Sequence, residues 1–222
     1  MAITLKKFSL LSSAALALML AACGGDDTDS ANESTDKGST DGDATTEETY
    51  VIGVTQLLEH PSLDAAYEGF QKALEDAGLD VEYKYNTANG DNSANMSIAQ
   101  TLVGDGVDLI FANSTPSAQA AKSATNDIPI VFTSVTDAVG AELIASMEAP
   151  GGNVTGTIDL HPDTIANTAA FFKNELGAKK VGTVYNTGEQ NSIAQVEQIK
   201  AALEAEGIEL VEAAVSTSAE VK

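Results

Sequence analysis

Short β-branched runs alternate with helix-period segments from Tyr50 to Val215, and this alternation constrains the fold more than any other feature. The strand-like runs cover 50–55, 81–86, 107–112, 128–134, 153–160, 179–186 and 208–215. Between them, Leu63, Ala66, Tyr67, Phe70, Leu74 and Ala77 recur at helical spacing, as do Met96, Ala99, Leu102 and Val103. Further helices are expected from Pro116 to Thr125 and over 138–146, 163–176 and 192–206. Ser192 with Gln195 forms a capping-box pattern at the start of the last. Strands separated by helices imply an α/β chain with a doubly wound parallel sheet. The pattern divides into a first lobe over 50–158 and a partial second lobe over 159–222.

In open parallel sheets, ligands bind beyond the carboxyl ends of the strands. Here those ends carry small polar residues: Gln56 with Glu59 and His60, Asn86, "NSTPS" from Asn113, "TSVTD" from Thr133, and "YNTGEQNS" from Tyr185. Thr115-Pro116 reads as an N-cap followed by the first helical residue. One local echo links the two lobes. "YNTANGDNSANMSIAQ" at 85–100 and "YNTGEQNSIAQ" at 185–195 share Tyr-Asn-Thr, then Asn-Ser, then a helix. The two segments fall at different positions in the expected strand order, so chance or similar turn chemistry accounts for it better than duplication of a half-domain does.

The N-terminus is a different kind of segment. Lys6 and Lys7 precede an apolar run from Phe8 to Leu20, which is too short to span a bilayer and reads as a signal peptide over 1–22. The run ends in Leu20-Ala21-Ala22-Cys23, which looks like a bacterial lipobox, so Cys23 is the expected lipidation site. It is the single cysteine, which leaves no intramolecular disulfide. Residues 23–49 hold nine acids against Lys37 and almost no large apolar side chain, the composition of a disordered acidic tether.

The net charge is −22, which disfavours nucleic acid and anionic membrane surfaces as partners; the membrane contact expected is the lipid anchor alone. No G-x-S-x-G elbow is present, and His60 and His161 fit no zinc spacing. Gly151-Gly152 precedes a strand instead of following one, so it is a turn and not a phosphate loop. Neither an enzyme nor a cofactor or metal is expected.

The pieces "IGVTQLLEHPSLDAAYEGF", "DLIFANSTPSAQAA", "IPIVFTSVTDAV", "GGNVTGTIDLHP" and "VYNTGEQNS" together resemble the substrate-binding lipoproteins of ABC importers, in the branch associated with tryptophan, phenylalanine and tyrosine. The resemblance implies periplasmic-binding type I lobes that close over a small ligand, an anchor on the outer face of the cell membrane, and ABC permease subunits as partners. It runs from about Tyr50 to the end of the chain without the family's remaining second-lobe strands and hinge crossings, so a truncated second lobe is expected. A ligand-sensing lipoprotein and a sugar binder are the alternatives on the same fold. The absence of Trp and an aromatic content of 5% count against sugar stacking.

All 11 basic residues are lysines, so no Arg is available to grip an amino-acid carboxylate in bidentate fashion. Helix-start N–H groups and hydroxyls must take that role. Ser114 and Thr115, with the N–H groups of Ser117 and Ala118, are the expected donors, faced by Asn191 and Ser192. Asp137 or Glu189 is expected to meet the ammonium, and Leu57, Pro61 and Tyr185 the side chain. Gln56, His60, Thr133 and Asn186 complete the candidate set.

Overall fold

A computed structural model describes residues 49–221. The signal segment, Cys23 and the acidic tether lie outside the described residues, apart from Thr49 at the tether's end. Strands β1 (Tyr50–Gln56), β2 (Val81–Thr87), β3 (Leu109–Asn113), β4 (Ile130–Val135) and β5 (Val154–Ile158) form one parallel sheet in the order β2-β1-β3-β4-β5. The order reverses direction between β1 and β3, which is where doubly wound sheets open a crevice. A second parallel pair, β6 (Lys180–Asn186) and β7 (Glu209–Val215), lies beyond it in sequence.

Helices cover the larger sheet unequally. Helix α1 (Pro61–Asp76) brings Tyr67, Phe70 and Leu74 against Val54 and Phe111 on one face. The Phe70 and Phe111 rings stack at 4.2 Å, and Tyr67 stacks on Tyr85 at 5.4 Å. Helices α2 (Asn92–Gly104) and α3 (Thr115–Ala124) cover the other face, where Leu102, Ala118 and Ala121 pack on Ile110, Ala112, Ile130 and Phe132. This second face holds most of the fully buried side chains. The β6–β7 pair is covered by α4 (Thr164–Asn174) and α5 (Gln190–Ala205), through Ala169, Phe172, Ile199 and Leu203 on Val181 and Leu210.

Three sequence expectations change. No helix forms over 138–146. Asp137 accepts from Gly140 N at 2.8 Å, and Glu142 turns the chain back at φ 59°, so one turn forms and stops. Leu143 and Ile144 are then free to enter the core. On α2, Met96 is exposed and Asn95 is buried in its place. The capping box of Ser192 and Gln195 is also absent. Helix α5 starts at Gln190, with Glu189 at the N-cap position but without a capping hydrogen bond from its side chain. Gln195 instead donates to Thr136 Oγ1 at 2.9 Å. Among the described residues no helix is long and apolar enough to cross a membrane.

Candidate functional site

The carboxyl end of β3 is held by a buried amide. Asn113 donates to Gln56 Oε1 at 2.8 Å and to the Leu63 carbonyl at 2.7 Å, and accepts from Ser134 Oγ at 2.8 Å. Gln56 donates to the Leu58 carbonyl and to Asp64 Oδ1. Gln56 is fully buried and its hydrogen bonds go to the protein, so it supports the 57–64 segment. Ser134 reaches Asn113 because β4 bulges at that point. Its φ is 54°, and the pairing with β5 shifts between Phe132 and Val135.

One step later Ser114, at φ 140°, turns the chain into α3. It is the N-cap that the sequence pattern assigned to Thr115; Thr115 is the first helical residue and Pro116 the second. Ser114 Oγ accepts from Ser117 N at 3.3 Å and donates to Ser117 Oγ, which donates to Asn95 Oδ1 at 2.9 Å. Three small polar side chains are thereby locked between α2 and α3. The Oγ1 of Thr115, 1% exposed, has no partner among the described residues.

A cleft of about 610 Å³ opens between the two sheets. Leu57, Leu58 and the 89–92 loop line it from the first sheet, and Asn186, Gly188, Glu189, Ser216 and Thr217 from the second. Its two carboxylates, Asp91 and Glu189, face no basic side chain in the lining. Glu189 accepts from Asn186 Nδ2 at 2.7 Å. Asp91 caps α2 by accepting from both the hydroxyl and the N–H of Ser93, which hold its carboxyl below the ordinary value of 3.8. A lowered carboxylate stabilises the folded state above its unfolded pKa, and that contribution is lost as pH falls through the folded value. Asp91→Ala is expected to flatten the acid limb of thermal stability below about pH 4, read as Tm against pH beside the wild type.

Two hydrogen bonds cross from one sheet's layer to the other's. One is Gln195 to Thr136, and the other runs from Asn92 Nδ2 to the Gly188 carbonyl at 3.4 Å. Around this junction six buried side-chain atoms lack a partner among the described residues: Thr55 Oγ1, Asn92 Oδ1, Asn95 Nδ2, Thr115 Oγ1, Gln190 Oε1 and Asn191 Oδ1. All six belong to the carboxyl end of β1 or to the first turns of α2, α3 and α5. Buried polar atoms are rarely left unmatched in native proteins. Their concentration where the strands point sets this junction apart from the rest of the described residues.

The expected site residues divide accordingly. Asn186 and Glu189 line the cleft. Ser114, Thr115, Asn191 and Ser192 lie at the junction, on the first turns of α3 and α5. His60 caps α1, its Nδ1 accepting from Ser62 N at 3.2 Å. Asp137 is committed to its own turn. Thr133 pairs with Thr157 on an exposed part of the sheet. The Tyr185 hydroxyl contacts Glu212 at 3.4 Å and does not line the cleft, where Leu58 stands instead. Thr55, Asn95 and the 89–92 loop are cleft or junction residues that sequence reasoning missed. The echo between 85–100 and 185–195 held the signal for the loop.

A parallel sheet with a cleft at its carboxyl edge, faced by a second βα unit, is the architecture of a two-lobed α/β binding protein. The family model for ABC transporter substrate binding protein matches residues 51–222, and the chain belongs to that family. It is 48% identical over 175 residues to a tyrosine-binding protein of Clostridioides difficile (strain R20291), covering 77% of this chain and 50% of that protein. It therefore spans about half the length of this curated relative. Among solved structures, it is similar to an ABC domain in complex with L-Trp from Streptococcus pneumonia, with 34% identity, TM-score 0.72, and coverage of 78% of this chain and 60% of that one. It is also similar to a ligand-free, open substrate-binding protein with adhesive properties from Clostridium difficile, with 44% identity, TM-score 0.54, and coverage of 78% and 59%. The fold is the periplasmic-binding type I fold.

Proposed function

We propose that this chain is the extracytoplasmic, lipid-anchored binding component of an ABC importer, and that it captures a free aromatic amino acid between its lobes without doing chemistry on it. The observation that carries the reading is the set of unpartnered polar atoms gathered at the junction beside an arginine-free cleft. A zwitterion needs both donors and acceptors, and this junction offers both. The Thr115 hydroxyl and the first turns of α3 and α5 supply donors for a carboxylate, with the helix dipoles favouring negative charge. The carboxylate of Glu189 and the amide oxygens of Asn92, Gln190 and Asn191 supply acceptors for an ammonium. Leu57 and Leu58 give the apolar wall. Relatives named for tyrosine and crystallised with L-Trp support an aromatic side chain. The lipobox pattern supports acylation of Cys23, and the family supports a permease partner.

Calorimetry with L-tyrosine, L-tryptophan and L-phenylalanine tests the ligand class, with the methyl esters and fructose as controls. The free acids are expected to bind, the esters much more weakly and fructose not at all. Equal binding of ester and acid would remove the carboxylate site. Thr115→Val keeps the shape of the side chain and deletes the unpartnered hydroxyl. It is expected to leave thermal stability unchanged or slightly higher while weakening binding by about 1–3 kcal/mol. For the anchor, labelled palmitate should enter the wild type and not Cys23→Ala.

A further inference from the structure

The loop that lines the cleft from the first sheet contains Asn89-Gly90, the one place in the chain where Gly follows Asn. The two residues are the centre of a type I′ turn, with φ 51° at Asn89 and 79° at Gly90. The Asp91 N–H closes the turn by donating to the Ala88 carbonyl at 2.9 Å. Both Asn89 and Gly90 are exposed. The Asn89 side chain is lightly held, since its Nδ2 meets the Thr87 carbonyl only at 3.5 Å. A Cβ built at Gly90 would meet nothing within 4 Å, so the turn has room to rearrange. The Gly90 nitrogen itself is engaged, donating to the Leu57 carbonyl at 2.8 Å.

We propose that Asn89 is a site of spontaneous deamidation, gated by the Leu57 carbonyl, that adds a carboxylate to the cleft. The Gly90 nitrogen gives its proton to solvent and attacks Asn89 Cγ. The new N–Cγ bond forms a cyclic succinimide, the Cγ–Nδ2 bond breaks, and Nδ2 leaves as ammonia. Water then opens the ring at either carbonyl, giving aspartate or isoaspartate at position 89. Gly90 suits the step because no Cβ shields its nitrogen. Attack requires the N–H to leave Leu57, a local opening at the end of β1 that needs no global unfolding. Leu57 lines the cleft as well, so the bond that restrains the reaction belongs to the cleft's own wall. The carboxylate formed joins Asp91 and Glu189, where the lining holds no basic side chain. Like charges raise the cost of seating a further carboxylate there. That effect on affinity rests on the amino-acid reading given above; the modification does not.

The full chain is incubated in warm, mildly alkaline buffer, with and without urea, beside a synthetic peptide of residues 85–95. Peptide mapping by mass spectrometry and enzymatic isoaspartate methylation read the products. Asn89 is expected to lose its amide before Asn92, Asn113 and Asn191, the asparagines followed by Ser. Urea is expected to speed the loss by about tenfold or more, toward the peptide's rate, since it frees the Gly90 N–H. Asn89→Gln should abolish conversion at this position, because its longer side chain must close a larger, slower-forming ring. In calorimetry, Asn89→Asp is expected to bind L-tyrosine about threefold or more weakly than Asn89→Gln, which alters the side chain without adding charge. The proposal is overturned if another asparagine converts first, if Asn89 keeps its amide in the folded chain through many half-lives of the peptide, or if urea leaves the rate unchanged. Equal binding by the Asp and Gln variants overturns the effect on the cleft. A wild type that binds none of the three aromatic amino acids removes the amino-acid reading and the affinity effect with it, while the mass measurements decide the modification by themselves.

Discussion

Gly156→Ala is expected to destabilise the folded chain by about 3 kcal/mol or more. Gly156 pairs with Phe132 across β4 and β5. A Cβ built there would stand 2.1 Å from the Phe132 carbonyl oxygen and 2.6 Å from its Cγ. The obstructing atom is backbone, which cannot rotate aside, and the Phe132 ring is fully buried in the main core. Either the strand pair separates or the ring leaves its packing. Urea denaturation followed by circular dichroism measures the effect, with Gly152→Ala as control, since nothing lies within 4 Å of a Cβ at that position. Equal midpoints for the two variants would contradict the steric argument.

Asn113→Leu is expected to cost about 3 kcal/mol, from two or more buried polar groups left without partners at ~1–3 kcal/mol each. Gln56 Oε1 would lose the Asn113 amide, and Ser134 Oγ would lose its acceptor. The substitution conserves volume, so the loss reports on hydrogen bonding and not on a cavity. The Leu63 carbonyl would lose a bond as well, which loosens the entry to α1 beside the cleft. Ligand affinity should therefore fall along with stability. Unchanged urea midpoints would show that the network contributes nothing net.

The strand–helix alternation was legible because parallel strands buried on both faces read as continuous apolar runs, and "VDLIFA" and "IPIVFTS" lie within or beside β3 and β4. The helix expected at 138–146 failed for a reason that propensity does not encode. Burial of Leu143 and Ile144 outweighed continuation past Gly140, and Glu142 took a left-handed turn. That a cleft opens at the carboxyl edge was also legible, but the role of single residues was not. Gln56 and Asp137 have the chemistry of ligand contacts, yet the protein itself uses their hydrogen bonds. Whether a polar side chain is spent internally depends on partners far away in sequence. Asn113 meets Gln56 from 57 positions away. Asn92 lies in a loop that reads as ordinary turn chemistry until the Gly188 carbonyl is seen opposite it.

The aromatic stack of Tyr67 on Tyr85 has an optical consequence. The chain contains five tyrosines and no tryptophan, and Tyr83 stands edge-on to the same Tyr67 ring at 5.9 Å. Protein emission is therefore tyrosine emission alone. An indole held in the cleft would be the sole long-wavelength emitter and would accept excitation energy from the neighbouring phenols. Titration with tryptophan, excited in the tyrosine band, could then be followed as sensitised ligand fluorescence, with no label and no engineered reporter.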